Sequence, residues 1–420
     1  MHTFTLLFLL ALAARTVTQL WLAARQIVFV RERSRHVPPD FAAVVSDTEH
    51  GKAAEYTIAK QRLGMVDHAY DVAVLLLLTL GGGIAFIGDW ATRLAGPSLL
   101  GGTLHVIGVF AVAALAGLPF SIYRTFRLEA RFGFNRTTPG VFLADHLKGY
   151  ALGLLLGGLV TAAVLWIMQG AGPRWWLVAW LAWIGFSLLV TWAWPVLIAP
   201  LFNRFAPLED AALRERIDAL LARCGFRAKS VFVMDGSRRS AHGNAYFTGL
   251  GREKRIVFFD TLLARLTPPQ VESVLAHELA HFKLKHIPQR LAVSAVTSLA
   301  GFALLGWLAR QAWFYEALGV PQPSDAAALI LFLLVTPVFT WIATPLLAAW
   351  SRRHEFEADA FAARHSDARA LADALVALYK DNASTLTPDP LYSAFHDSHP
   401  PPAERVARLR GLAAGAANAP

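Results

Sequence analysis

Long apolar runs dominate this chain and alternate with polar stretches of differing length. Seven of the runs come close to the roughly 20 residues that an α-helix needs to cross a bilayer. We therefore predict a mainly α-helical, polytopic membrane protein with about seven transmembrane helices. The candidate spans are Phe4–Ala24, Asp71–Ala91, Leu104–Tyr123, Gly149–Met168, Trp175–Pro195, Leu291–Ala309 and Ala326–Ala348.

Three parts of the chain are too polar to lie in a membrane: Arg31–Tyr70, Leu201–Gln289 and Ser351–Pro420. The second part starts with a helical pattern and continues with short runs rich in Val, Ile, Phe and Tyr, which are typical of strands. We predict a small antiparallel β-element there. Its elements are a helix at Leu208–Arg223 ended by Gly225, then strands at Ser230–Met234, Ala245–Thr248 and Arg255–Asp260, the last two joined by a turn at Leu250-Gly251-Arg252.

These patterns divide the chain into four parts. Residues 1–200 hold five membrane helices with their cytoplasmic loops, and residues 201–290 hold the β-element and a catalytic helix. Residues 291–350 hold two more membrane helices, and residues 351–420 form a C-terminal cytoplasmic part.

Positive charge is concentrated in alternate loops. The net charge is +9, and basic residues gather after the first and third spans, whereas the intervening loops hold little beyond Arg93, Arg174 and Arg310. Cytoplasmic loops are enriched in Lys and Arg, so this alternation predicts an N-terminus outside and a C-terminus in the cytoplasm. The charge is thereby accounted for without nucleic acid, and we expect no nucleic-acid partner.

The first span has a second interpretation. Residues 1–14 resemble a signal peptide with a cleavage site at Ala11-Leu12-Ala13. However, no Lys or Arg stands at the very start, and apolar sequence resumes at Leu20–Val30. We therefore favour an uncleaved first span.

The polar region before the sixth span contains the motif H-E-x-x-H. His277 and His281 are four residues apart, so on a helix both imidazoles lie on one face and can bind one metal ion. Glu278 stands beside the first of them, where a carboxylate can take a proton from water at the metal. A helix start is indicated locally by Pro268 and by Thr267 with Gln270, a capping box.

A catalytic zinc ion needs a third protein ligand. Cys224 is the single cysteine, so intramolecular disulfides and cysteine-based zinc sites are excluded and the ligands must be histidines and carboxylates. Glu355 and Asp359 follow the last span and are again four residues apart on a predicted helix. Glu355 is the candidate third ligand. Asp359 is the candidate partner of a ligating imidazole's free N–H.

With these residues in place, the chain resembles the M48 metallopeptidases, specifically the Ste24 branch, the type I CAAX prenyl proteases. The similarity runs from about residue 130 to 405. The matching motifs are Phe132-Gly133-Phe134-Asn135-Arg136-Thr137-Thr138, His242-Gly243-Asn244-Ala245-Tyr246-Phe247-Thr248-Gly249, Arg255–Leu262, His277–His281, Glu355–Asp359 and His396-Asp397-Ser398-His399-Pro400-Pro401 through Glu404-Arg405.

This resemblance implies seven helices around a large water-filled chamber, with the metal facing inward. It implies cleavage near a protein's C-terminus, in some members after prenylation. It further implies that Asn244 and its strand align the substrate, and that His399 and Arg405 stabilise the oxyanion or organise the site. His242, His286 and His396 we interpret as structural or close to the substrate.

The chain also departs from the family's pattern. The frequent F-E-F/Y-Q-A-D reads His354-Glu355-Phe356-Glu357-Ala358-Asp359, and we expect the additional charge of Glu357 to point away from zinc. Thr248 replaces an aromatic residue in the substrate strand. The Ala, Leu and Arg bias looks bacterial, which puts a prenylated substrate in doubt and favours a general membrane peptidase.

We thus predict an integral membrane zinc endopeptidase with one Zn²⁺, acting on peptides or proteins, prenylated or not, at the bilayer. We expect a monomer in a bacterial inner membrane with its active site toward the cytoplasm; the endoplasmic reticulum membrane is the alternative. Rival functions are true CAAX processing, a transporter or channel with a vestigial metal site, and a non-catalytic quality-control scaffold.

Overall fold

The computed structural model describes residues 2–226, 230–248 and 255–417. The first half is helical: α1 (Thr3–Glu32), α2 (Asp47–Leu78), α3 (Gly83–Ala95), α4 (Leu99–Tyr123), α5 (Ala130–Phe132), α6 (Pro139–Gly170), α7 (Trp175–Ala193) and α8 (Ala199–Phe202). The second half contains the strands β1 (Phe205–Pro207), β2 (Ser230–Met234), β3 (Ala245–Thr248) and β4 (Arg255–Phe259). Its helices are α9 (Ala211–Cys224), α10 (Asp260–Leu263), α11 (Pro268–Lys283), α12 (His286–Leu308), α13 (Ala312–Glu316), α14 (Asp325–Thr340), α15 (Thr344–His365), α16 (Ala368–Asp381), α17 (Pro390–His396) and α18 (Pro402–Ala417).

The membrane region follows the predicted apolar runs. Among the described residues, six helical segments are long and apolar enough to cross a membrane, and α2 with α3 makes a seventh that is bent by 55°. Each predicted span falls on one of these segments, so the predicted polytopic helical fold is confirmed. Between 11 and 44% of the residues in the apolar windows of the six segments are buried inside the protein, which fits helices that face lipid over much of their surface.

The second span is broken where α2 meets α3. Gly82, just before α3, has φ +78°, a left-handed conformation that glycine adopts without a Cβ clash. A distant loop packs into this break at Gly319, whose φ is also +78°. A Cβ at Gly319 would lie 2.5 Å from the carbonyl oxygen of Thr79. Position 319 therefore requires glycine both for its conformation and for the close approach.

We expect Gly319→Ala to destabilise the protein by about 2 kcal/mol or more, because the new Cβ meets backbone and the φ is strained. Thermal unfolding of the detergent-solubilised protein measures this. Gly64→Ala is the matched control, since Gly64 lies within α2 with open space around it. Its better helix propensity should leave stability equal or raise it by up to about 1 kcal/mol. Equal melting temperatures of Gly319→Ala and wild type would contradict the requirement for glycine at position 319.

The β-element differs from the predicted antiparallel one. In the part of the chain that the structure describes, four strands form a sheet in the order β1-β2-β4-β3. β3 and β4 pair antiparallel, as predicted, but β2 pairs parallel to β4, so the sheet is mixed. The central β4 buries Ile256, Val257 and Phe258 in succession, which suits a strand covered on both faces. The predicted turn at Leu250-Gly251-Arg252 lies outside the described residues.

An apolar core joins the sheet to α9, α11, α15, α16 and α18. Where α11 meets α15, both helices contribute alanines that are fully buried: Ala276, Ala280, Ala358 and Ala362. Small side chains let the two helix backbones approach closely. The domain boundaries drawn at 290/291 and 350/351 fall inside α12 and α15, and α15 continues directly into this core.

Candidate metal centre

Helix α11 begins as the sequence indicated. The Gln270 side chain accepts a hydrogen bond from the Thr267 N–H at 2.9 Å, and prolines occupy the first helical positions. The helix then carries His277 and His281 on one face, with ring centroids 5.1 Å apart. His277 is buried and His281 is half-buried.

Helix α15 packs against α11 and brings Glu355 to the two imidazoles. His277 Nε2 lies 3.4 Å from Glu355 Oε2, and His281 Nε2 lies 3.5 Å from Glu355 Oε1. These separations are long for hydrogen bonds. Two ligands held at about 2.1 Å from a tetrahedral zinc ion are themselves about 3.4 Å apart. The spacing therefore fits three ligands arranged around one ion.

The hydrogen bonding of Glu355 supports the same conclusion. Its carboxylate is 3% exposed, and Oε2 is buried without a hydrogen-bond partner among the described residues. A buried, unsatisfied carboxylate oxygen costs free energy unless a cation compensates it. A divalent ion between the three side chains would satisfy this oxygen.

The two histidines have opposite proton affinities. Burial, together with the nearby His277, lowers the pKa of His281 to about 3, so its imidazole is neutral, the form that binds metals. Burial and Arg405 lower the pKa of His277, but the hydrogen bond to Asp359 and the adjacent Glu355 carboxylate outweigh them and raise it to about 9. The carboxylates around His277 thus favour positive charge at this point, which a metal ion also supplies.

Asp359 and Arg405 hold the other side of the His277 ring. Asp359 Oδ1 lies 2.8 Å from His277 Nδ1. Arg405, which α18 supplies, donates to both Asp359 oxygens at 2.7 and 2.8 Å and lies 3.6 Å from Glu355 Oε2. With His277 Nε2 facing Glu355, its Nδ1–H donates to Asp359. The structure therefore brings both predicted residues to the site and fixes the orientation of this ring.

Glu278 is half-buried beside His277. Burial raises the pKa of its carboxyl, and Glu355 raises it further, while His277 and Arg405 oppose the change. A carboxylate with a raised pKa is a stronger base. The assignment of Glu278 to proton transfer, which requires a basic carboxylate, remains a prediction.

His399 also reaches the site, from the non-helical segment between α17 and α18. Its Nε2 lies 3.4 Å from Glu355 Oε2, and its Nδ1 lies 3.1 Å from Ser398 Oγ. The ring is exposed. An exposed ring beside buried ligands is open to a molecule that enters the site.

Asn244 takes a different position. It is exposed at the start of β3, and its side-chain oxygen accepts a hydrogen bond from the next N–H, that of Ala245, at 2.8 Å. In the described regions no hydrogen bond joins Asn244 to the proposed ligands. In the order of the described strands, β3 lies at one edge of the sheet, and it packs against α11, the helix that carries the histidines.

The loop Phe132–Thr138 contacts the segment that leads into β3. Thr137 Oγ1 donates to the Arg239 carbonyl at 3.1 Å, and Asn135 forms a β-bridge with Ser240. Two residues further, His242 stacks on Phe134 with ring centroids 4.4 Å apart. The membrane helices thereby fix the approach to the edge strand, a role that the local sequence did not indicate.

A second group of polar side chains lies next to the site, and the sequence analysis did not predict its contacts. His281 Nδ1 lies 3.0 Å from His286 Nδ1, and His286 Nε2 lies 3.1 Å from Glu357 Oε2. His354 stacks on His286. As expected, Glu357 makes its contacts with His286 and with Arg353, away from the three proposed ligands. The sequence signal that could have indicated this group is His286, five residues after His281.

Comparison with protein families gives two matches that together cover most of the chain. Residues 26–204 match the model described as CAAX prenyl protease N-terminal, five membrane helices. Residues 207–413 match the model described as peptidase family M48. The second match contains the proposed ligands as well as Asp359 and Arg405.

Individual proteins are similar over nearly their whole length. The CAAX prenyl protease 1 homolog of Arabidopsis thaliana is 34% identical over 389 residues, covering 89% of this chain and 90% of that protein. The Homo sapiens homolog is 31% identical, with 91% and 90% covered, and CAAX prenyl protease 1 of Saccharomyces cerevisiae is 32% identical, with 89% and 88% covered. The crystal structure of S. mikatae Ste24p superposes with a TM-score of 0.90 at 30% identity, over 97% of this chain and 99% of that one.

Proposed function

We propose that this chain, which belongs to peptidase family M48 and is an integral membrane metalloendopeptidase, holds zinc between His277, His281 and Glu355 to cut peptide bonds. The observation that carries this proposal is the spacing of the three side chains. Their facing nitrogen and oxygen atoms lie 3.4 to 3.5 Å apart, and one of the carboxylate oxygens is buried without a hydrogen-bond partner in the described residues.

The chemistry divides between the ion and the surrounding side chains. Zinc held by His277, His281 and Glu355 would supply Lewis-acid chemistry to water and to a peptide carbonyl. Glu278 removes a proton from the attacking water and then delivers it to the nitrogen of the leaving amine. His399, exposed beside Glu355, donates a hydrogen bond to the oxyanion that develops on the carbonyl. Asp359 and Arg405 hold the ring of His277 in place.

The substrate is an extended peptide. Among the described strands β3 is an edge strand next to α11, so the backbone groups on its outer side can form a ladder with a peptide strand. Asn244 at the start of β3 aligns the peptide toward the metal. Thr248 provides less apolar surface in this strand than an aromatic residue would, and the overall composition looks bacterial. We therefore favour plain peptides and proteins over obligatorily prenylated ones.

The environment of the site completes the proposal. The basic loops lie in the cytoplasm, and the N-terminus lies outside. The protein is a monomer in a bacterial inner membrane, with the metal centre opening toward the cytoplasm. The four parts of the chain, residues 1–200, 201–290, 291–350 and 351–420, act as one unit because α15 runs from the membrane part into the catalytic part and only two residues separate α12 from the catalytic helix α11.

Purified protein in liposomes tests this function with two peptides of one sequence, one farnesylated and one plain. We expect both to be cut with kcat/KM values within about one order of magnitude, because the proposed backbone ladder along β3 does not depend on a prenyl group. Removing the metal with a chelator should abolish cleavage, and zinc should restore it at one ion per chain by elemental analysis.

Other results would redirect the proposal. Cleavage of the farnesylated peptide alone would identify true CAAX processing. A protein that cuts neither peptide but passes solute across the liposome would identify a transporter, and the proposed peptidase would be wrong. If another divalent ion restored peptide cleavage after chelation and zinc did not, the assignment of the metal would be wrong.

A further inference from the structure

The ring of His281 has a buried hydrogen-bond partner that the proposed mechanism does not use. Its Nδ1 lies 3.0 Å from Nδ1 of His286, which is 1% exposed. On the far side of that ring, Nε2 of His286 lies 3.1 Å from Oε2 of Glu357. Glu357 is in turn held by Arg353, whose Nε donates to its other oxygen at 2.9 Å. The three contacts form a chain that leads away from the metal position.

The backbone is bent sharply to make this contact. Helix α11 ends at Lys283 and α12 begins at His286, so two residues turn the chain. Lys285 has φ +60° and ψ +29°, the left-handed conformation that costs a residue with a Cβ on the order of 1 kcal/mol. This turn returns His286 to the ring of His281. Such local strain persists where the surrounding contacts stabilise it.

The positions of the protons follow from the contacts. Nε2 of His281 faces Glu355, so its Nδ1 carries the hydrogen and donates to Nδ1 of His286. The His286 ring is then neutral with its hydrogen on Nε2, and it donates to Glu357. A single arrangement of hydrogens thus satisfies every nitrogen in the chain.

We propose that His286 and Glu357 are positioning residues that orient the His281 ring and increase its electron donation to the metal. This rests on the proposed function, because His281 must be a ligand. Two carboxylates of one helix would then orient the two ligating imidazoles. In α15, Asp359 holds His277 directly, and Glu357 holds His281 through His286. Partners of this kind on metal-bound imidazoles typically change metal affinity by about 10- to 100-fold.

The same side chains do not make a good separate metal site. Ligand atoms of His286, His354 and Glu357 lie within 4.8 Å of one another, and Nδ1 of His354 is buried with no hydrogen-bond partner among the described residues. However, the His286 and His354 rings are stacked, 4.0 Å apart and inclined by only 4°. Their lone pairs therefore lie in two nearly parallel planes and do not converge on one ion at the roughly 2.1 Å that zinc requires.

The test uses the full chain in detergent, with zinc affinity measured against a chromophoric chelator and with the absorption spectrum of the cobalt-substituted protein. His286→Leu removes the acceptor but fills the space, and it should weaken zinc binding by about 10- to 100-fold and shift the cobalt bands. His286→Asn places a carbonyl oxygen near the position of Nδ1, so it should recover most of the affinity. Glu357→Gln should give a smaller loss, about 3- to 10-fold.

His365→Asn is the matched control. His365 lies at the end of α15, the helix that also carries Glu357, and it contacts the carbonyl of Phe361. Zinc affinity should therefore not change. Melting of the zinc-free proteins separates positioning from simple stability, because a positioning role leaves the zinc-free form of His286→Asn close to wild type.

Wild-type affinity and wild-type cobalt bands in His286→Leu would overturn the inference and leave the proposed function intact. Two zinc ions per wild-type chain, with one lost in His286→Leu, would also overturn it, since the group would then bind its own ion. A wild type that binds no zinc would remove the proposed function itself.

Discussion

Glu278→Gln is expected to keep its metal and to lose about three orders of magnitude in kcat. The carboxylate of Glu278 is half-buried, and burial raises its pKa, so it accepts a proton readily. Glutamine has the same size but cannot accept that proton, and general acid–base catalysis typically contributes about 10²- to 10⁴-fold. Peptide turnover and zinc content should be measured on the same preparation.

The control for this change is Glu215→Gln, an exposed carboxylate on α9, which packs against the same core. It should retain both activity and zinc. Equal turnover by Glu278→Gln and wild type would show that another group moves the proton. Loss of zinc together with activity would show that Glu278 maintains the site rather than the chemistry.

The membrane fold was predictable because hydropathy and helix length are local properties. A helix in lipid must satisfy its own backbone and be apolar over about 20 residues, and both requirements are visible in the sequence. The break in the second span was not predicted. Gly81, Gly82 and Gly83 barely change the apolar character of the run, and the bend depends on Gly319, which arrives from a distant loop.

The sheet was predictable only in part. The β3–β4 hairpin is a local unit, and its two strands were identified from their composition. The parallel pairing of β2 with β4 depends on how that hairpin docks, which the strand pattern does not encode. β1 was missed because it has three residues and ends in Pro207, which strand composition disfavours.

The site shows the same division between local and distant information. His277 and His281 follow from helix spacing alone. Glu355 and Asp359 required the topology, which puts the two polar parts on one side of the membrane, and the positions of Arg405 and His399 required the family resemblance. His286 was assigned no specific contact, because no periodicity predicts the left-handed turn at Lys285 that returns it to His281.

Glu355→Ala is expected to lose zinc, and peptidase activity with it. Glu355 is the carboxylate of the proposed ligand set. Zinc-finger sites bind their ion with a free energy of about 10–16 kcal/mol through four protein ligands. Each ligand therefore contributes on the order of 3 kcal/mol, or about 100-fold in affinity. The expected loss is therefore at least about 100-fold by chelator competition. The stabilisation of wild type by added zinc should disappear in the variant, because only a folded state that binds the ion is stabilised by it.

Asp373→Ala is the matched control for Glu355→Ala, since Asp373 is an exposed carboxylate on α16 in the same core. Its zinc affinity and thermal shift should equal those of wild type. The Glu355 variant also distinguishes a ligand from a charge. Glu355→Gln keeps the size but weakens the ligand, so it should bind zinc less tightly than wild type and more tightly than Glu355→Ala. Full zinc occupancy in Glu355→Ala would mean that α15 does not complete the metal centre. The 3.4 to 3.5 Å contacts would then be ordinary ion pairs between histidine and glutamate.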